Sequence, residues 1–102
     1  MQPSVVKIGG LTNLWRIATE AEMKGVTCVP HSFFVGPGFL ATLHAIAAKE
    51  RPSTVERFFA DLGGTPYAKT VPLLDGAVEV PSGPGLGADP EPELIERFRI
   101  AT

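Results

Sequence analysis

The feature that most constrains this chain is an alternation: short apolar runs separated by stretches of about a dozen residues whose apolar positions recur at helical spacing. VVKI, residues 5 to 8, is a first short apolar segment ended by Gly9 and Gly10. Leu14, Ile17, Ala18 and Ala21 then stand at i, i+3, i+4 and i+7, which predicts a helix over 12–24, capped by Thr12 or Asn13 and stopped at Gly25. VTCVPH, residues 26 to 31, is β-branched and continuously apolar up to Pro30, the pattern of a strand buried on both faces. Past the Gly36-Pro37-Gly38 break, Phe39, Leu40, Leu43, Ile46 and Ala47 predict a second helix. Pro37 suits its first position, and Lys49, Glu50, Arg51 and Pro52 close it. VERFF at 55–59 reads as a third strand. Strands alternating with helices are the mark of parallel βαβ units with right-handed crossovers, so the expected fold class is α/β.

The remainder changes character. LLDGAVEV, residues 73 to 80, has apolar residues on either side of Asp75-Gly76, which predicts a small antiparallel hairpin. PSGPGLGADPEPELIERF then reads as a proline and glycine turn leading into a short terminal helix. Asp89 is its expected cap, Pro90 its first residue, and Leu94, Ile95 and Phe98 its buried face. Residues 1–60 thus form a βαβαβ portion and 61–102 a hairpin and helix extension. Three parallel strands with two crossover helices leave faces and edges uncovered. The expectation is a slice of a larger sheet or barrel, or a chain that assembles with partner strands.

Composition excludes several function classes. With 44% hydrophobic and 20% charged residues, the 102-residue chain reads as one globular unit. A net charge of −2 and nine scattered Lys and Arg residues supply no basic stripe, so nucleic acid is not an expected partner. No run approaches about 18 apolar residues, and the N-terminus lacks the basic-then-apolar order of a signal peptide. Neither membrane contact nor export is expected, and the chain reads as cytoplasmic. Cys28 stands alone and reads as a small buried hydrophobe, with no disulfide to form.

In parallel α/β architectures the carboxyl ends of strands converge on one face, and ligands bind there. His31 ends the second expected strand, Glu56 lies on the third, and Ser4 precedes the first. An imidazole beside a carboxyl group suits proton transfer near neutral pH. The plainer alternatives are a histidine bonded to a loop carbonyl, and a surface carboxylate paired with Arg57 or Arg97. Phe33 and Phe34 follow His31 on a strand-to-helix loop and are candidates either to line a substrate pocket or to pack on a neighbouring domain. His44 and Trp15 read as packing residues, and Ser32 points away from His31 with no third group to make a nucleophile. GPGLG at 83–87 is not a dinucleotide fingerprint, because Pro84 removes an amide donor and no strand-to-helix unit follows.

QPSVVKIGGLT, then VPH after a helix, then VERF, then LLDGAVEVPSGPGLG resembles the C-terminal part of the enolase superfamily, in its mandelate racemase and muconate lactonizing enzyme branch. The resemblance covers almost the whole chain in the correct order. It implies the C-terminal slice of a modified TIM (β/α) barrel, with the last three strands and two crossover helices, followed by the hairpin and the terminal helix. It further implies that His31 is a general acid/base and that Glu56 hydrogen-bonds the substrate carboxylate as it becomes an enediolate. Mg²⁺ is the implied cofactor, stabilising that intermediate.

Two departures matter. Ser4 stands where the family has an aspartate that pairs with the histidine; a hydroxyl can orient the ring but cannot stabilise its cation comparably. The family's metal-binding carboxylates and lysine base belong to earlier strands outside these residues, and Asp61, Asp75 and Asp89 match none of them. No metal site is therefore expected within the chain, and the isolated chain is expected to be inactive. The implied activity is the C-terminal portion of a Mg²⁺-dependent dehydratase of hydroxy acids or sugar acids. The alternatives are a racemase or epimerase, and a non-catalytic remnant serving as an assembly or binding module. Expected partners are the small-molecule acid together with the remaining barrel strands and capping domain, or a second copy paired through exposed strand edges.

Overall fold

The computed structural model describes residues 1–49, 54–58, 60, 62–69 and 71–100. Its first correction falls on VVKI, which is a turn and not a strand. Lys7 and Ile8 donate to the Ser4 carbonyl at 2.9 and 3.0 Å, and Gly10 to that of Val5 at 2.9 Å. Gly9 and Gly10, with φ of 87° and 101°, let the chain curl back where side-chain-bearing residues would be strained. The extended partner is instead residues 1–3. The N–H groups of Val29 and His31 donate to the carbonyls of Met1 and Pro3, both at 3.0 Å, and the N-terminal ammonium donates to Thr27. Both segments advance two residues per bond in the same direction, which is a parallel ladder. Pro3 has no N–H, so one rung is missing.

Helix α1, Leu11–Met23, joins these two segments. It starts one residue earlier than the apolar spacing predicts, with Gly10 as N-cap; neither Thr12 nor Asn13 caps it. Asn13 is used elsewhere, its Nδ2 donating to the Ile8 carbonyl at 2.6 Å and bracing the preceding turn. The far end stops as expected: Gly25 has φ 67°, Val26 donates to Ala21 at 2.8 Å and Gly25 to Glu22 at 3.0 Å, a Schellman closure. Leu14 and Ala21 are buried, with Ile17 and Ala18 half-buried beside them.

Residues 26–31 do not form a regular strand beyond the pairing with residues 1–3, and Val26 and Thr27 are exposed while Pro30 is buried. The expected burial on both faces is therefore not found, because Val26 is engaged in closing the helix turn and leaves its side chain in solvent. Residues 54–58 form neither strand nor helix, so the third strand expected over 55–59 is not formed among the described residues. Phe59, Asp61 and the expected helix-closing residues 50–52 lie outside the described residues.

Helix α2, Pro37–Ala47, carries the main core. Phe39, Leu40 and Leu43 bury themselves with Val71, and Phe34, Val55, Tyr67, Val78, Val80, Leu86 and Ala88 pack around them. Gly38 makes this approach possible. A Cβ there would lie 2.5 Å from Val6 Cγ1 and 3.0 Å from the Phe34 ring, so the helix start can press on both loops only without a side chain.

Strands β1, Leu73–Leu74, and β2, Ala77–Val78, form the antiparallel hairpin, with Leu73 opposite Val78 and Leu74 opposite Ala77. Asp75 and Gly76 have φ of 49° and 76°, the type I′ geometry that suits an Asp-Gly pair. Helix α3, Pro92–Arg97, starts two residues beyond the expected position, so Asp89 and Pro90 remain in the loop. The second proline decides this. A residue before proline is pushed out of the helical region, and Glu91 has φ −62° and ψ 117°, so the helix begins at Pro92. Its expected buried face is found only in part: Leu94 is half-buried against Gly64, no residue of α3 is fully buried, and Ile95 and Phe98 are 46% and 59% exposed.

The described chain thus holds three helices, one two-stranded sheet and a short parallel pairing of extended segments, an α/β composition. Its radius of gyration, 14.5 Å, exceeds the about 13 Å of a compact 100-residue domain. Val6, Val26, Leu74, Phe98 and Ile100 are among the large apolar side chains left in solvent. Among the described residues no helix is long and apolar enough to cross a membrane.

Candidate functional site

His31, at the end of the pairing with residues 1–3, and Glu56, within the irregular segment 54–58, lie side by side. His31 is held from the backbone side by its N–H to the Pro3 carbonyl, which fixes the end of the parallel pairing. Its Nδ1 lies 2.7 Å from Glu56 Oε2, with the two side chains 31% and 35% exposed. The same Oε2 accepts the backbone N–H of Ser32 at 3.0 Å. One carboxylate oxygen therefore grips both the ring of His31 and the peptide that follows it. The imidazole Nε2 hydrogen-bonds to none of the described residues.

The other expected site residues divide. Ser4 is buried, yet its Oγ has no hydrogen-bond partner among the described residues. It makes no hydrogen bond to the His31 ring, and the bond expected of that position is made by Glu56. Phe33 stands beside the imidazole, with ring centroids 4.7 Å apart, and is 45% exposed. Phe34 packs against the α2 core, its ring centroid 6.1 Å from that of Phe33. Phe58 completes the aromatic surround, 6.4 Å from Phe33. Ser32 is fully buried and its hydroxyl is also unpartnered among the described residues; its contribution to the site is its backbone N–H.

Two participants were not foreseen. The amide of Ser32 carries no sequence signal, because any residue but proline supplies it. Lys7 lies 5.8 Å from the Phe33 centroid and brings a cation to the same face. It sits in the VVKI run, and only the conversion of that run into a turn at the strand end carries it there.

Residues outside this cluster are accounted for otherwise. His44 Nε2 is 3.0 Å from the Leu86 carbonyl, which ties the 83–87 loop to α2. A hollow between α1, α2 and residues 25–30 includes Trp15, Cys28, Ile46 and Lys49 but neither His31 nor Glu56. Lys49 spans it, reaching Thr19 Oγ1 at 2.9 Å, Glu22 Oε2 at 3.2 Å and the Trp15 ring at 4.5 Å. This is a clasp between two helices whose polar groups already satisfy one another. Burial pushes the Cys28 thiol up, partly countered by the N-terminal ammonium and Lys49, so the reactive thiolate is disfavoured there.

The implied magnesium can be tested against the donors at hand. Among the described residues, no three of His, Cys, Asp and Glu stand together as a metal site. A hard cation takes about six oxygen ligands, and this face offers one carboxylate already engaged by two N–H groups. The described residues do not fit the ion by themselves.

What the arrangement can do is move a proton. An imidazole anchored at Nδ1 by a carboxylate presents Nε2 outward as an acid or base. Comparison with known proteins gives this cluster its context. The family described as enolase C-terminal domain-like matches residues 1–94. The chain is 32% identical to D-galactarolactone cycloisomerase of Agrobacterium fabrum, over 98% of its own length and 29% of that enzyme's. It is 28% identical to D-gluconate dehydratase of Thermoproteus tenax, over 97% of the chain and 20% of the relative. It is 26% identical to arabinonate dehydratase of Saccharolobus solfataricus, over 97% and 27%. The chain therefore spans less than a third of the length of these curated relatives. No solved structure matches.

Proposed function

The chain belongs to the enolase C-terminal domain-like family, and from that premise we propose that it is the acid-bearing portion of a sugar-acid dehydratase. The names of two relatives, D-gluconate dehydratase and arabinonate dehydratase, support this substrate class. In the proposed reaction a base outside this chain removes the proton from the carbon next to the carboxylate. The bond from the neighbouring carbon to its hydroxyl then breaks. His31 gives its Nε2 proton to that hydroxyl, which leaves as water, and the resulting enol reverts to a keto acid. Dehydration needs an acid at the leaving group, and the observation that carries the proposal is the 2.7 Å contact between the partly exposed His31 and Glu56 side chains.

The remaining parts of the reading follow the same premise. These residues are proposed as the C-terminal slice of a modified (β/α) barrel, whose other strands and capping domain complete the pocket and supply the lysine base. Mg²⁺ is the proposed cofactor, held by residues other than those described. Phe33 and Lys7 stand where an anionic, carbon-bearing substrate approaching His31 would meet an apolar ring and a cation.

The test is turnover of D-gluconate and D-arabinonate in the presence of Mg²⁺ by the polypeptide carrying these residues, followed by formation of the keto acid. His31→Asn is expected to lower kcat by about 10²- to 10⁴-fold, the range of a lost general acid. Undiminished turnover in that variant, or none with any sugar acid in the parent protein, overturns the proposal.

A further inference from the structure

The family resemblance gives Glu56 to the substrate and leaves His31 with a serine where its carboxylate partner belongs. The geometry points to a different division of labour: we propose that Glu56 is the positioning residue of His31, taking over the post that Ser4 does not fill. This deepens the acid/base reading of His31 and rests on it.

Three observations carry it. First, position 4 is the cross-chain neighbour of His31, since Pro3 accepts the His31 N–H, and yet the Ser4 hydroxyl is buried with no partner among the described residues. The hydroxyl there makes no hydrogen bond to the ring. Second, the Glu56 carboxylate does reach it, at 2.7 Å, a length typical of a charge-assisted hydrogen bond. Third, the acceptor is itself fixed, because the Ser32 N–H donates to the same oxygen at 3.0 Å. Any sideways movement of the carboxylate breaks both bonds together.

The consequence is chemical. A carboxylate oxygen accepts, and Oε2 already takes the Ser32 N–H; the hydrogen in its contact with the imidazole is therefore the one on Nδ1. That assigns His31 the Nδ1–H tautomer when neutral, with the Nε2 lone pair directed away from the carboxylate. A hydrogen bond from Glu56 to a substrate is left to Oε1, so the residue's two oxygens serve two tasks.

The chain contains an internal control. Its other histidine, His44, faces the Leu86 carbonyl through Nε2. A carbonyl only accepts, so His44 is fixed in the opposite, Nε2–H form. Long-range proton–nitrogen correlation spectra of the ¹⁵N-labelled chain at mildly alkaline pH read both tautomers without substrate or metal. The expected result is Nδ1–H for His31 and Nε2–H for His44. Glu56→Ala is expected to abolish the Nδ1–H signature of His31 while His44 keeps its own, and Glu56→Gln, whose amide oxygen still accepts, is expected to retain it. An Nε2–H His31 in the parent chain overturns the inference, as does a Glu56→Ala variant that keeps the Nδ1–H form. Should Glu56→Ala unfold, the His44 signal reports it and the parent spectrum alone decides. Because no turnover is measured, failure here leaves the dehydratase proposal to its own test.

Discussion

Helices α2 and α3 begin alike and end differently. Each carries proline in its first turn and an apolar stripe that sequence alone assigns to a buried face. In α2 that stripe sinks Phe39, Leu40 and Leu43 into the core; in α3 nothing is fully buried. Leu94 alone of the stripe lies half-buried, against Gly64, and polar bonds tie down the two ends of α3. Glu91 donates its N–H to the Pro66 carbonyl at 2.8 Å, its side chain accepts the Lys69 N–H at 3.1 Å, and Arg97 reaches the Gly63 carbonyl at 3.4 Å. An amphipathic pattern therefore identifies which face a helix offers, while the fold decides whether anything accepts it.

The comparison predicts unequal costs. Leu40→Ala empties a site of zero exposure beside Phe39, Leu43 and Val71 and should cost about 2–5 kcal/mol. Phe98→Ala removes a larger side chain that is 59% exposed and should change stability by no more than about 0.5 kcal/mol. Urea unfolding of the two variants checks the difference; similar costs would break the contrast and show that α3 is covered in solution.

Glycine substitution sharpens the same contrast at smaller amplitude. Gly38→Ala drives a methyl group into Val6 and Phe34 and should cost about 1–3 kcal/mol, as overpacking does. Gly63→Ala, beside α3, meets nothing within 4 Å and should fall within about 0.5 kcal/mol of the parent. Equal unfolding midpoints would mean that the start of α2 is not crowded.

These outcomes bear on what the sequence could and could not disclose. The hairpin was legible because Asp75-Gly76 accepts the two positive φ values its turn requires, and the end of α1 because Gly25 does the same. The first strand was not legible. VVKI has the apolar run a strand wants, but the glycines after it turn the chain back, and the pairing falls to MQP, whose proline hides it by omitting a rung. At the site, the convergence of strand ends anticipates that His31 and Glu56 lie close. That one carboxylate oxygen takes both the ring and the Ser32 amide is a matter of ångströms that residue identity does not encode. The silence of Ser4 depends in the same way on reach and not on residue type.

The smallest effect separates the two helices by acid. The Lys69 backbone N–H donating to Glu91 holds its carboxyl below the usual carboxylate range, against a lesser opposing effect of burial. A carboxyl with a depressed value in the folded state contributes stability that is fully present above its unfolded value, about 4.3, and is lost as pH falls through the folded value. Protonating Glu91 weakens its bonds to Lys69 at the point where α3 begins, whereas the α2 core, built from Phe39, Leu40, Leu43 and Val71, contains no titrating group. Amide exchange measured downward from pH 5 should therefore show α3 losing protection as pH falls below the ordinary glutamate range while α2 keeps its own. In Glu91→Gln, α3 should already exchange faster at pH 5 and show less of this acid step. Loss of both helices at one pH would mean that α3 is bound into the α2 core after all, and that its polar tether is not what holds it.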